Sequence, residues 1–406
     1  MIPYGRQSIS EDDIAAVVAV LRGDFLTQGP AIESFEQAFA ARVGAKYAVV
    51  VNSATAALHL ALRVAGIGKD DRVVTSPITF LASANAAAYV GATPDFADID
   101  PVSYTLDPVA LEKTWKPDTR AVVAVDYAGQ VSDLPEISRI ARARGAIVIS
   151  DACHGVGGAF HAQGHPGKRW TLGGNPWADI TTFSFHPVKT MTTGEGGMLV
   201  TDRKDWADHA RILRSHGIVR DPAHFTSTDE HDPLAEKGPW FYEMQELGYN
   251  YRLTDIQCAL GISQLKRIDQ FIARRREIVA AYTEAFAGLD WLQIPQLRNP
   301  ADSATVSWHL YTVQIDFTAL GKTRTHVMAE LRAADVGSQV LYMPVHLQPW
   351  YRRTYGYGVG KCPVAEMFYG RALSLPLFPA MTDADVAHVI DRILALAPQI
   401  VLSVSP

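Results

Sequence analysis

The sequence predicts an α/β fold with a mixed, mostly parallel sheet, on three observations. Short apolar runs of strand type alternate with helix-like segments through the first two thirds of the chain. The 406 residues, 48% hydrophobic and 20% charged, supply material for a large domain and a smaller one. An aspartate, Asp151, follows directly on one apolar run, and open α/β sheets place ligands at the C-terminal ends of their strands.

The elements follow in order. Lys46–Val51 is a valine-rich run, and Thr55–Val64 has helical composition. Arg72–Thr75, Thr93–Phe96, Arg120–Val125 and Ala146–Ile149 are further strand-type runs, with helices expected at Leu81–Val90 and Pro135–Arg144. An apolar piece from Ala178 ends in Ser184-Phe185-His186, and Met198–Thr201 adds another strand. A helix-rich stretch from Leu253 to about Leu289 bridges to a second unit. That unit holds a strand at His309–Ile315 and helices at Arg324–Ala334 and Asp383–Ala395. The expected division is a large domain at 1–255, with segment 1–30 contributing to its site, and a linker helix plus small α/β domain at 256–406. The polar stretches 155–176 and 219–238 exceed usual connections; they read as lids or binding loops, or equally as solvated excursions.

Composition excludes several function classes. A net charge of −6, from 37 basic and 43 acidic residues, gives no reason to expect nucleic acid or an anionic membrane as partner, while anionic small molecules stay open. Cys153, Cys258 and Cys362 lie far apart without a CxxC spacing, against a disulfide framework or structural zinc, so a reducing cytoplasm is expected. Met1–Arg6 lacks an apolar signal core. The most apolar stretch, Tyr47–Gly66, is interrupted by Asn52, Ser53, Thr55, His59 and Arg63, which suits strand, turn and helix better than a membrane span. Cys153, His154, His161 and His165 match no zinc spacing, and no metal is expected.

One constellation carries chemistry. Lys189 lies among Phe, Val, Thr and Gly residues, three positions after His186 and just before Gly194-Glu195-Gly196-Gly197. Desolvation there favours the neutral amine that a Schiff base needs, although a lysine taken alone reads as a surface residue. Asp151, at the end of its strand, is placed to keep a pyridine nitrogen protonated; alone it reads more often as a cap or turn residue. Asn52-Ser53-Ala54-Thr55-Ala56 joins strand to helix through small hydroxylated residues, which makes an anion site or a simple N-cap. Ser184 and Asn250 are placed to complete a phosphate shell, and Phe80 to stack on a ring, or to sit in the core. Together these residues suit pyridoxal 5′-phosphate.

The ordered motifs Leu26–Pro30, Asn52–Leu58, Pro77–Ser83, Ser150–His154, Ser184–Lys189, Gly194–Gly197, Leu247–Leu253, His309–Tyr311 and Met343–His346 resemble the DegT/DnrJ/EryC1/StrS sugar aminotransferases, from about Pro3 to Ala397. The resemblance implies the pyridoxal-phosphate fold type I, with Lys189 as covalent anchor and Asp151 as pyridinium partner. It further implies phosphate contacts from Thr55, Ala56 and Ser184, stacking by Phe80 and a cofactor-side position for His154. Asn250 would reach the other subunit's phosphate, which implies a homodimer with shared sites. Ser150 departs from the glutamate that many members carry before the aspartate.

Within the family the likeness narrows to the transaminases of pseudaminic acid biosynthesis, which aminate UDP-2-acetamido-2,6-dideoxy-β-L-arabino-hexos-4-ulose at C4. By that likeness Tyr4, Asp24, Phe25, Leu26, Thr27, Trp308, His309, Leu310 and Tyr311 line the sugar-nucleotide site. Arg252 is placed to meet donor carboxylates or the diphosphate, and L-glutamate is the expected donor. Alternatives are an aminotransferase for a dTDP-, GDP- or other UDP-keto sugar, a dehydratase of the same fold, or a non-catalytic homologue. The dehydratases replace the lysine with histidine, and Lys189 argues against them.

Overall fold

The computed structural model of the chain describes residues 1–226 and 238–397. Its valine- and isoleucine-rich runs are stiff at χ1 and suit a pleated, buried surface. They form β1 (Tyr47–Val51), β2 (Arg72–Thr75), β3 (Thr93–Phe96), β4 (Thr119–Val125) and β5 (Ile147–Asp151). A hairpin of β6 (Ala159–His161) and β7 (Arg169–Thr171) follows, then β8 (Ile180–Ser184) and β9 (Gly197–Thr201). Seven of these strands make one sheet in the order β1-β9-β8-β5-β4-β2-β3. β9 pairs antiparallel with both neighbours, and the other pairings are parallel, which gives the mixed, mostly parallel sheet expected.

Helices cover both faces, as a sheet apolar on both sides requires. They are α1 (Glu11–Leu21), α2 (Pro30–Val43), α3 (Ala54–Val64), α4 (Ala82–Tyr89), α5 (Pro108–Thr114), α6 (Leu134–Arg142) and α7 (Lys204–Arg214). On one face Phe39 of α2 packs edge-on to Phe183 of β8 at 5.1 Å, with Phe35 and Phe185 beside them. On the other, the leucines of α3 and Trp206 of α7 lie over Val49 and Leu199. Of these, α1, α2, α5 and α7 go beyond the expected elements. α1 buries only Asp13, so it lacks an apolar stripe; its signal is the capping box between Ser10 and Asp13.

Past β10 (Ile218–Val219) and β11 (Glu243–Met244), the helix-rich stretch resolves into α8 (Asp255–Lys266) and α9 (Ile268–Phe286). A second, three-stranded antiparallel sheet follows, of β12 (Leu292–Gln293), β13 (Tyr311–Ile315) and β14 (Ala372–Leu375). It shares a core with α9, α10 (Arg324–Ala333) and α13 (Asp383–Leu394), while α11 (Pro349–Tyr355) and α12 (Pro363–Arg371) pack nearby. The first residues belong with this layer: Ile2 bridges Val336, and the Leu377 amide donates to the Tyr4 carbonyl at 3.1 Å.

The stretch 155–176 is largely the β6–β7 hairpin, with His161 bonded to Asp302 at 2.8 Å and His165 against Trp170 and Trp177. Of 219–238, residues 227–237 lie outside the described residues. Among the described residues no helix is long and apolar enough to cross a membrane.

Candidate active site

Strand ends converge on one edge of the large sheet. β1 runs into Ser53, β4 into Asp126, β5 ends on Asp151 and β8 on Ser184. They open onto a cavity of about 480 Å³, which also takes in Tyr4, Phe80, His154, Lys189 and Tyr342.

Asp151 is buried at its floor. One carboxylate oxygen accepts from Ser83 Oγ at 2.7 Å and the other from the Cys153 amide at 3.2 Å. Thr79 Oγ1 lies 2.7 Å from Ser83 Oγ. Because Ser83 spends its proton on Asp151, Thr79 must donate to Ser83, so two hydroxyls feed one carboxylate. Behind it Asp126 is fully buried, bonded by Ser132 N and Ser150 Oγ, and its own amide donates to the Asp151 carbonyl. Burial pushes the Asp126 carboxyl up to about 7, and the Asp151 charge adds to the rise. Ser150, the departure noted in the sequence, is thus the donor to a second carboxyl.

Lys189 stands on the loop between β8 and β9, in a turn closed by its amide donating to the His186 carbonyl at 2.9 Å. Its side chain is half-buried, and burial of the ammonium lowers its pKa. Cys153 and Asp151 pull the other way, and Arg275 adds to the fall. Arg275 is fully enclosed, donates only to the carbonyls of His309 and Leu377, and is lowered to about 10 by burial.

His154 is also held neutral. Burial, and then the Lys189 charge, lower its pKa well below that of a free imidazole. Its Nδ1 accepts from the Ala128 amide at 3.2 Å, which leaves the proton on Nε2. Nε2 meets Tyr342 Oη at 3.3 Å, so the imidazole donates and the tyrosine proton is free to point elsewhere. Tyr342 stacks near His154 at 24° and faces Phe80, whose ring is 59% exposed at the cavity mouth.

The helix α3 presents its N-terminus to the same cavity. Ser53 is its N-cap, and Ser53, Ala54 and Thr55 line the wall. Ala56 does not: it is buried, and its amide already donates to Ser53 Oγ at 3.1 Å. Gly197 makes the fit possible, since a Cβ there would lie 2.5 Å from Ser53 O and Ala54 N.

Several expected residues lie elsewhere. Trp308, Leu310 and Tyr311 are buried in the cores around the small sheet, so they do not line the cavity in the single chain. His309 is enclosed beside His154, with ring centres 4.5 Å apart. Asp24, Phe25, Leu26 and Thr27 are exposed, with Thr27 bridged to Thr254. Arg252 lines a separate hollow with Gln28 and Gly29. Asn250 is exposed next to Asn52, whose Nδ2 donates to its carbonyl at 3.3 Å. Ser83, Thr79 and Tyr342 were not assigned from sequence. Thr79 lies in the turn before α4 and Ser83 in its first turn, so neither carried a periodic signal, and Tyr342 had none beyond its neighbourhood to Met343–His346.

Comparison with known proteins follows the same line. The model of the DegT/DnrJ/EryC1/StrS aminotransferase family matches residues 7–394. The spore coat polysaccharide biosynthesis protein SpsC of Bacillus subtilis is 41% identical over 395 residues, covering 97% of this chain and 96% of its own. Among solved structures, Helicobacter pylori PseC, an aminotransferase involved in pseudoaminic acid biosynthesis, superposes with a TM-score of 0.85 at 28% identity, covering 97% of this chain and 98% of its own. A chain named as a sugar aminotransferase, Spr1654 from Streptococcus pneumoniae, matches in its PLP form with a TM-score of 0.85 at 28% identity, covering 97% of this chain and 98% of its own.

Proposed function

The chain belongs to the DegT/DnrJ/EryC1/StrS aminotransferase family, and from that premise we propose that it transfers nitrogen from L-glutamate to C4 of a nucleotide-linked 4-keto-6-deoxy sugar. The favoured acceptor is the UDP-linked 2-acetamido-2,6-dideoxy-hexos-4-ulose of pseudaminic acid biosynthesis, a reading supported by the likeness to PseC. The name of SpsC fits the same setting, the assembly of a surface polysaccharide. The observation that carries the proposal is a neutral-leaning lysine and a doubly bonded aspartate facing one cavity at the strand ends.

These residues fit pyridoxal phosphate. Lys189 would hold its aldehyde carbon, Asp151 its ring nitrogen, and the α3 N-terminus with Thr55 and Ser184 its phosphate. When bound, the cofactor supplies a protonated ring that withdraws electrons from the carbon bearing the transferring nitrogen. The chain's own groups do the rest. Lys189 Nζ, as a free amine, would take the proton from the donor's α-carbon and hold it within the cavity. Asp151, its two oxygens held by Ser83 Oγ and the Cys153 amide, would be oriented toward the ring nitrogen. His154, neutral and fixed in its Nε2 tautomer, orients Tyr342 without adding a charge. Phe80 covers the mouth against water.

The exposed Asn250 and the half-buried Arg252, with segment 24–27, are proposed to complete the site of a second subunit in a homodimer. The division into a large unit at 1–255 and a small one at 256–406 is proposed with it. A panel of nucleotide keto sugars with nitrogen-labelled glutamate tests the reading. Label is expected on the UDP-linked N-acetyl sugar. Transfer to dTDP- or GDP-linked sugars alone would replace that acceptor, and transfer only to a non-sugar ketone would overturn the proposal.

A further inference from the structure

Away from this cavity, behind the β6–β7 hairpin, lies a second hollow of about 330 Å³. Three arginines from three elements face it: Arg42 of α2, Arg169 of β7 and Arg276 of α9. One carboxylate, Asp269, accompanies them; it pairs with Arg42 Nη2 at 2.5 Å and is itself 84% exposed. Among the described residues Arg169 and Arg276 have no ion pair, and Arg276 spends its Nε on the Val306 carbonyl at 2.9 Å. Arg42 Nε is shut off from solvent without a partner.

Guanidinium groups this close repel one another, and a fold tolerates that where water or an anion relieves it. Burial lowers the pKa of Arg276, the charge of Asp269 partly offsets that fall, and the charge of Arg169 adds to it. Room has been left for the cluster. Gly157 has φ +76°, and a Cβ there would stand 2.7 Å from Ile272 Cδ1 and 3.3 Å from Arg42 Nη2. Planar forks that converge from three directions suit a tetrahedral oxyanion, whose oxygens each accept more than one N–H.

We propose that this hollow is a second anion site that takes a phosphate-class dianion, either inorganic phosphate or the phosphate of a phosphomonoester. It shares no residue with the cavity around Lys189. Its occupant would join α2 of the large sheet to α9, the helix that leads into the small one.

The test uses the enzyme loaded with its cofactor, so that the α3 N-terminus is already filled. Sodium phosphate is titrated calorimetrically against sodium chloride of equal ionic strength, and glycerol 3-phosphate is titrated in parallel. Saturable phosphate binding is expected, weakened at least about tenfold by Arg169→Gln, since one hydrogen bond to a charged group is lost. Arg276→Gln is expected to act in the same direction, and Asp269→Asn, which removes the counter-charge, to tighten binding. Lys168→Gln is the charge-matched control, because Lys168 stacks on Trp170 outside the hollow. Stronger binding of glycerol 3-phosphate would identify the occupant as a phosphorylated metabolite, and equal binding as the free ion. No saturable binding to the wild type, or equal losses in the Arg169 and Lys168 variants, would overturn the proposal.

Discussion

Removing the hydroxyl of Ser83 probes how the Asp151 side chain is held. In Ser83→Ala the 2.7 Å bond to the Asp151 carboxylate disappears, and Thr79 Oγ1 loses the acceptor it donates to. Both groups are buried, so water does not replace the lost partner freely. A hydrogen bond to an ionised group contributes about 1.5–3 kcal/mol. The Cys153 amide at 3.2 Å remains on the other oxygen, which places the expected loss near the lower end. At about 1.4 kcal/mol per factor of ten, kcat/KM for the glutamate half-reaction should fall roughly tenfold to a hundredfold. KM for the keto sugar should change little, since Ser83 serves the ring nitrogen's partner rather than the acceptor. Stopped-flow absorbance of the bound cofactor reads the half-reaction directly. Unchanged half-reaction rates in a folded, cofactor-loaded variant would refute the role given to the hydroxyl relay.

Other expectations concern the same framework. Tyr342→Phe should lower kcat while leaving cofactor content unchanged, because His154 then loses the acceptor of its Nε2 proton; absorbance of the purified protein and steady-state rates check both halves. Phe183→Ala, at a fully buried ring against Phe39, should cost about 3–5 kcal/mol in urea unfolding. His59 is buried and its pKa is lowered from 6.5 to about 4, chiefly by burial. The unfolded chain therefore binds the proton first, so stability present above about pH 6.5 falls as pH drops toward 4, by about 3 kcal/mol from this residue alone. His59→Asn should flatten the slope of unfolding free energy against pH in that window, and an unchanged slope would assign it to the other buried histidines.

The large sheet was legible because its strands are short, apolar and separated by helical composition, and their edges fell within a residue or two of Lys46–Val51, Arg72–Thr75 and Arg120–Val125. Lys189, Asp151, Thr55 and Ser184 could be placed together because each sits at the end of a readable strand or a few residues past it. Ser83 and Thr79 were harder: their meaning comes from a contact with Asp151, far along the chain, that no local pattern encodes. Trp308 and Tyr311 misled for the opposite reason. Large aromatics beside a binding motif suit a sugar pocket and a core equally, and three-dimensional packing put them in the core. The arginine hollow was invisible because its residues come from α2, β7 and α9, elements of which two were not anticipated.

The reversed strand β9 also sets an order of assembly. Among the described residues β1 is joined to the rest of the sheet only through β9, with Tyr47 paired to Thr201, so the sheet's first strand must wait for its last. Gly197, which admits the start of α3, arrives on that same late strand. Synthesis therefore finishes the strand carrying Asp151 well before the two ends of the phosphate cradle meet, and the long loop between β1 and β9 must close first. A nascent chain ending between Lys189 and Gly197 would own the acid and the lysine and still lack the strand that holds β1 and the start of α3 in place.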